Sequence, residues 1–445
     1  MVQLCCKYGK SILFNHRERF QINSKIYINR KEVNMKILHV LSQLPSKTGS
    51  GVYYSNMIEG FKRYNHDQKA IFGYQDEYVW NILDSEDQYP VAFKSNELPF
   101  PIVGMSNVMP YENTLYSSMT EEMVDIWKEA FRKRLEKVRE DFKPDIIFAH
   151  HLWILTALVR EVFPDTKVIG LCHNTDLRQA KMNPHLKRKY ADNIHELNYV
   201  FSASEQQKDE IVDIYNIDRN KIIPVGGGFN QDIFYFPKEK KYTDKVKLVF
   251  CAKIDPSKGI YELIEVFKSL GRDDITLDII GSPDEENKKK IEDYIKCDNS
   301  IRVYNVKSQV ALGDELREKD IFIMPSYYEG LGLMAIESLA CGLYVVSTEI
   351  EALMTLLGEE IKESGIIKYV PLPRIYDVDK PVSEDLPKFK ENLKNAILCQ
   401  IEKIKQKREC HKKMEDEIKS FSWEGLVNNM NNIINSIKDD LDLTL

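Results

Sequence analysis

Short, continuous apolar runs alternating with stretches of helical spacing dominate the chain. Residues 35–41 (MKILHVL) read as a first β-strand, a polar turn follows over 42–51, and Val52, Met57, Ile58 and Phe61 then recur at helical spacing. Runs at 145–149, 167–172 and 199–203 repeat the strand pattern with helical stretches between them. A strand with one wet face would alternate apolar and polar residues. These runs do not, so both faces are covered, as in a parallel sheet of Rossmann type. Gly226-Gly227-Gly228 breaks the alternation. It restarts at 246–251 and repeats at 276–281, 301–304, 321–324 and 343–346, with helices predicted near 258–270, 285–297, 309–318 and 333–341. The predicted class is α/β, with two Rossmann-like, doubly wound parallel-sheet domains facing across a cleft.

Domain organisation follows from that pattern. Residues 1–34 carry seven Lys or Arg against two Glu without a clear period, and read as a basic extension outside the fold. The first domain is expected over 35–225 and the second over 226–420, with a last helix over 421–445. The length of 445 residues agrees with two cores, since one core rarely organises so long a chain.

Composition narrows the function classes. With 43% hydrophobic and 29% charged residues the chain is an ordinary globular protein, and a net charge of −7 argues against nucleic acid as a partner. No run reaches the length needed to cross a bilayer, and the start of the chain lacks a secretory pattern, so a cytoplasmic location is expected. The eight cysteines are scattered without a CxxC pair and read as reduced thiols, with Cys172, Cys251 and Cys341 in apolar runs.

Ligands of doubly wound sheets sit beyond the carboxyl ends of the strands, so candidate chemistry belongs in the following loops. One such loop, Ala252-Lys253-Ile254-Asp255-Pro256-Ser257-Lys258-Gly259, sets two cations around a turn that opens a helix, which suits a diphosphate, although solvated lysines are the plainer reading. Another, Tyr328-Glu329-Gly330-Leu331-Gly332-Leu333, leads into a helix bearing Glu337 in an otherwise apolar segment, where a carboxylate needs a donor. Ribose hydroxyls would serve, or a lysine or amide of the same domain. Gly330 and Gly332 let a backbone approach phosphate oxygens. Asp377-Val378-Asp379 has the shape of a metal-binding pair but lies in a Pro-rich loop late in the chain, and no metal is expected. Gly49-x-Gly51 lacks the remainder of a dinucleotide fingerprint. His151 could face the cleft or be an ordinary loop histidine.

The Glu329-x7-Glu337 segment resembles the signature of the retaining glycosyltransferases of family 4, which have the GT-B fold. The likeness extends to Ala252-Lys253-Ile254 through Lys258-Gly259, to Lys221-Ile222-Ile223-Pro224-Val225-Gly226 through Phe234, and to Phe421-Ser422-Trp423-Glu424, and spans residues 35–438. The resemblance implies a set of roles. Glu329 would contact the donor sugar, Glu337 the nucleotide ribose, and Lys253 with Lys258 the diphosphate. Gly330, Leu331, Gly332 and Leu333 would line the phosphates with amides. Lys307 would touch the nucleobase with Gly281 beside it, Gly51 would face the diphosphate, and His173 would lie near the reacting sugar. The last helix would return to the N-terminal domain, and no cofactor would be required. Ala252 and Lys253 depart from the family's glycine and arginine, and Thr348-Glu349-Ile350-Glu351-Ala352 replaces a small, glycine-rich loop near the donor.

The expected activity is therefore hexosyl transfer from a nucleotide sugar, UDP-linked before GDP-linked, to a glycan or lipid-linked acceptor in cell-surface polysaccharide or glycoconjugate synthesis. Two other readings stay open: a UDP-sugar 2-epimerase-like isomerase, and a non-catalytic nucleotide-sugar-binding protein. The helix-like, basic stretch from Arg178 to Lys189 offers either a peripheral membrane contact or a solvated face.

Overall fold

In a computed structural model the described residues are 34–442, apart from Ser46, 240–242, Cys297 and 407–409. The basic extension over 1–33 lies outside them. The first strand is β1 (Lys36–Leu41), and all but its first residue are buried, as its apolar pattern requires. It is followed by β2 (Asp67–Tyr74), β3 (Gln88–Ala92), a two-residue pair β4 and β5 (Val103–Gly104, Thr114–Leu115), β6 (Ile146–His150), β7 (Lys167–Leu171), β8 (Tyr199–Ser202) and β9 (Ile222–Pro224). Seven of these form one sheet in the order β3-β2-β1-β6-β7-β8-β9, and every pairing in it is parallel.

A second sheet contains β10 (Val246–Cys251), β11 (Ile275–Ile280), β12 (Ile301–Tyr304), β13 (Ile321–Met324), β14 (Tyr344–Thr348) and β15 (Ile367–Val370), in the order β12-β11-β10-β13-β14-β15. It too is wholly parallel. The predicted helices appear as Ile260–Ser269, Glu285–Ile295, Gln309–Arg317 and Leu333–Ala340. Four strands of the two large sheets went unpredicted: β2, β3, β9 and β15. β2 (DQKAIFGY) mixes polar and apolar residues at its start, and the three-residue β9 gives too short a pattern to read.

In both sheets the order reverses beside the first strand, between β1 and β6 and between β10 and β13. The loops following those two strands leave in opposite directions and open a crevice. The four segments that carry most of the candidate chemistry, after β1, β6, β10 and β13, are therefore placed by topology.

The last helix, Trp423–Asp442, returns to the first sheet. Leu426, Val427, Met430, Ile434 and Ile437 share a core with Met57 and Phe61 of helix Gly49–Phe61 and with strand residues Ile37, Ile146 and Phe148. A β-carbon on Gly60 would meet Val427 at 2.7 Å, so glycine allows the two helices this approach. The second sheet has its own core, from Phe229 to Phe421.

Candidate active site

The loop after β10 is docked onto the loop after β13. Tyr327 N–H donates to the Ser257 carbonyl at 2.9 Å, and Gly259 packs so tightly that a β-carbon there would lie 2.2 Å from the Pro325 carbonyl oxygen. Gly259 has φ +64°, so a side chain is disfavoured by conformation as well as by space. The docking brings Lys258 Nζ to 2.8 Å from Glu329 Oε1 and 3.3 Å from the Tyr328 carbonyl. Two of the predicted residues, 71 positions apart, thus form one ion pair. Lys253 is exposed on the same loop. Asp255 is held below the usual carboxylate range, first by hydrogen bonds from Ser257, with the charges of Lys253 and Lys258 adding.

Helix Leu333–Ala340 starts from Gly332 at φ +76° and has no side-chain cap. Helix Ile260–Ser269 likewise starts from left-handed Gly259 without one. By contrast, the helices starting at Gly49, Glu121, Glu285 and Gln309 are capped by Thr48, Thr120, Asp284 and Ser308. An uncapped N-terminus leaves first-turn amides and the positive end of the helix dipole available to an anion. The carboxyl of Glu337, one turn into helix Leu333–Ala340, accepts no hydrogen bond from a described residue, and burial pushes it up to about 8. Its neighbour Cys251 is pushed up to about 12 by burial and then by the Glu337 charge.

The two sheets meet at this loop. Leu331 and Leu333 approach Gly227 of the connecting segment, and the nearest neighbour of a β-carbon on Gly330 would be Asn174 Nδ2, at 3.8 Å. Asn174 follows His173, so the loop after β13 faces the histidine segment. His173 is half-buried, burial lowers its imidazole to about 4, and its Nε2 lies 3.0 Å from His150 Nδ1. Gly51 lies within helix Gly49–Phe61, and its amide is taken by Thr48 Oγ1 at 3.1 Å, so it contributes the absence of a side chain rather than a free donor. Gly281 has a steric reason of its own: a β-carbon would lie 2.2 Å from the Ala252 carbonyl. Lys307 is exposed in the loop after β12, and no described contact ties it to the other candidates.

Profiles for two families match, one described as glycosyl transferases group 1 over residues 231–370 and one as the glycosyl transferase family 4 group over residues 104–198. Together they take in more than half of the chain. The chain belongs to the family 4 glycosyltransferases. This family 4 chain is 28% identical over 165 residues to a probable sucrose-phosphate synthase from Thermosipho melanesiensis, covering 34% of the chain and 39% of the relative. It is 27% identical over 192 residues to a capsular polysaccharide biosynthesis glycosyltransferase from Staphylococcus aureus, covering 38% and 50%. The first curated relatives are spanned over 39% to 51% of their length. Among solved structures, an Anabaena protein in complex with UDP and glucose superposes with a TM-score of 0.57 at 13% identity, covering 91% of this chain and 100% of that one. The fold is GT-B.

Several residues near the candidate site escaped the sequence reading. Asn174 has φ +64° and starts helix Thr175–Met182 without a side-chain cap, and its Oδ1 accepts from Gln207 Nε2. His150 is buried beneath His173, and Tyr53 stands edge-on to both His173 and Trp423. The signal for His150 was present in the pair His150-His151, but only the second was weighed, either as facing the cleft or as an ordinary loop histidine. His151 is in fact buried, at φ +69°, with its ring 4.8 Å from that of His173.

Other segments differ from expectation. The stretch from Arg178 to Lys189 is two helices, Thr175–Met182 and Pro184–Tyr190, because Pro184 starts the second. Lys181, Lys187 and Lys189 pair with Glu210, Asp192 and Glu121, so much of the expected basic face is neutralised locally. Asp377 pairs with Lys380 in a hairpin turn. Among the described residues no cluster of three His, Cys, Asp or Glu is placed to hold a metal, and no helix is long and apolar enough to cross a membrane.

Proposed function

We propose that the chain is a retaining hexosyltransferase that uses a nucleotide sugar, a UDP-sugar before a GDP-sugar, and acts on a glycan or lipid-linked acceptor in cell-surface polysaccharide or glycoconjugate synthesis. The observation that carries the reading is the Lys258–Glu329 pair beside the uncapped helix Leu333–Ala340. A diphosphate joined to a sugar presents anionic oxygens next to hydroxyls, and it calls for a cation and a carboxylate side by side. In the structure these two side chains satisfy each other. With the donor bound, Lys258 would turn to the phosphate and Glu329 to the sugar.

As the glycosidic bond breaks, negative charge grows on the diphosphate while the sugar gains oxocarbenium character. Lys253, Lys258 and the amides of residues 330–333 then gain most in the transition state, and the protein's own cations meet the charge without a metal in this reading. Glu337 would take the ribose hydroxyls, the donors its buried carboxylate lacks. The UDP and glucose held by the Anabaena protein support testing UDP-sugars first. The reaction is assigned to the cytoplasm.

The test is a panel of donors with release of UDP or GDP as readout. Lys258→Ala or Glu337→Ala should lower turnover by about tenfold or more, and near wild-type rates would overturn these roles. Conversion of the donor without any acceptor would favour an isomerase instead, and UDP binding without turnover of any donor would favour a binding protein.

A further inference from the structure

We infer that buried His150 is a positioning residue that fixes the tautomer of His173, keeping the His173 proton on Nδ1, the ring nitrogen left open to the cleft. His150 is 1% exposed at the carboxyl end of β6, next to β7, whose end carries His173. The nitrogens His150 Nδ1 and His173 Nε2 are 3.0 Å apart, the ring planes are inclined by 13°, and the centroids are 5.2 Å apart. That centroid separation is close to the largest a 3.0 Å contact permits, so the rings lie edge to edge and the hydrogen bond is in plane and nearly straight. Burial lowers both imidazoles, which leaves both neutral at pH 7, with one proton each.

Two arrangements satisfy that count. If His173 Nε2–H donates to His150, the His150 proton sits on Nε2, a buried atom with no hydrogen-bond partner among the described residues. If His150 Nδ1–H donates to His173 Nε2, only a lone pair is left without a partner there. A buried N–H without an acceptor is the costlier defect, so the second arrangement is favoured. The neighbours do not reverse it: Tyr53 and Tyr54 reach His150 through their rings at 6.1 and 5.1 Å, and the Tyr54 hydroxyl donates to the carbonyls of His39 and Ile71. His173 Nδ1 makes no hydrogen bond to a described residue and is not one of the fully buried polar atoms without a partner. His173 therefore offers the cleft a donor rather than an acceptor.

The consequence for catalysis rests on the transfer reading above, in which a donor at this place suits the oxygens of the departing diphosphate or a sugar hydroxyl. The tautomer itself does not depend on that reading. The test uses the full chain labelled with ring 15N-histidine, with the His173 signals identified by loss in His173→Gln. The wild type should show a protonated Nδ1 and a bare Nε2 at His173, and a protonated Nε2 would overturn the inference whatever the activity. His150→Leu should mix the two tautomers and lower kcat by about tenfold with little change in the donor KM. His150→Asn, which keeps an amide donor near the position of Nδ1, should restore both signals. Unchanged His173 signals in His150→Leu would also overturn it. The expected tautomer in a chain that turns over no nucleotide sugar would support His150 as the positioning residue and count against the transfer reading alone.

Discussion

At the scale of a single residue, Glu337 is the most perturbed carboxyl of the candidate site. Its carboxyl titrates at about 8 because burial penalises the charge and no described side chain or amide donates to it. The unfolded chain ionises this group near its ordinary value of 4.5, so between about pH 4.5 and about pH 8 the folded state binds the extra proton and stability falls as pH rises. Glu337→Gln should therefore raise the melting temperature, with a larger gain at pH 8.5 than at pH 5 in thermal unfolding, and an equal gain at both would remove the titration. Under the proposed function UDP binding near pH 7 should also release a proton, because ribose hydroxyls favour the ionised carboxylate. Calorimetry in buffers of different ionisation enthalpy reads that proton directly, and its absence would separate Glu337 from the ribose. The acidic residue in an apolar helix was visible in the sequence. Its lack of a partner was not, since that depends on every chain segment packed around it.

At the scale of elements, the site is two loops fastened together. Gly259 joins them, with φ +64° and a β-carbon position 2.2 Å from the Pro325 carbonyl. Gly259→Ala should cost about 1–3 kcal/mol from the backbone conformation alone, before the clash is relieved by moving the 325–329 segment. Urea unfolding measures the first effect. The second should appear as loss of the Lys258–Glu329 contact and weaker UDP binding, whereas unchanged binding would show that the docking of these loops does not set the site. The sequence reading found the glycine-bearing loops that open two helices and most of the second sheet, because turn residues and continuous apolar runs are local signals. It missed β2, whose pattern is mixed, and read one helix-like stretch from Arg178 to Lys189 where Pro184 starts a second helix.

Across the whole molecule, the C-terminal helix makes the first sheet depend on the end of the chain. Met430 is fully buried between that helix and the Met57–Phe61 face, so Met430→Ala should lose about 2–5 kcal/mol. Chemical denaturation followed by tryptophan fluorescence measures the loss. A change within about 0.5 kcal/mol would mean that the helix is detached in solution. Trp423 begins this helix, packs against Gly228 of the connecting segment and meets Tyr53, which in turn meets His173. The segment between the sheets and the histidine side of the cleft thus share one aromatic contact.

The sequence alone determined the class of fold, the place of the second sheet and the loops in which chemistry belongs, because hydrophobic period and turn preference act over a few residues. Only the tertiary structure decided which residues meet. Lys258 reaches Glu329 across 71 positions and His150 reaches His173 across 23, because the strand order sets those pairs side by side at the carboxyl ends of adjacent interior strands. No local pattern encodes that order. It follows from how the helices cover both faces and from which strand ends are left open between them.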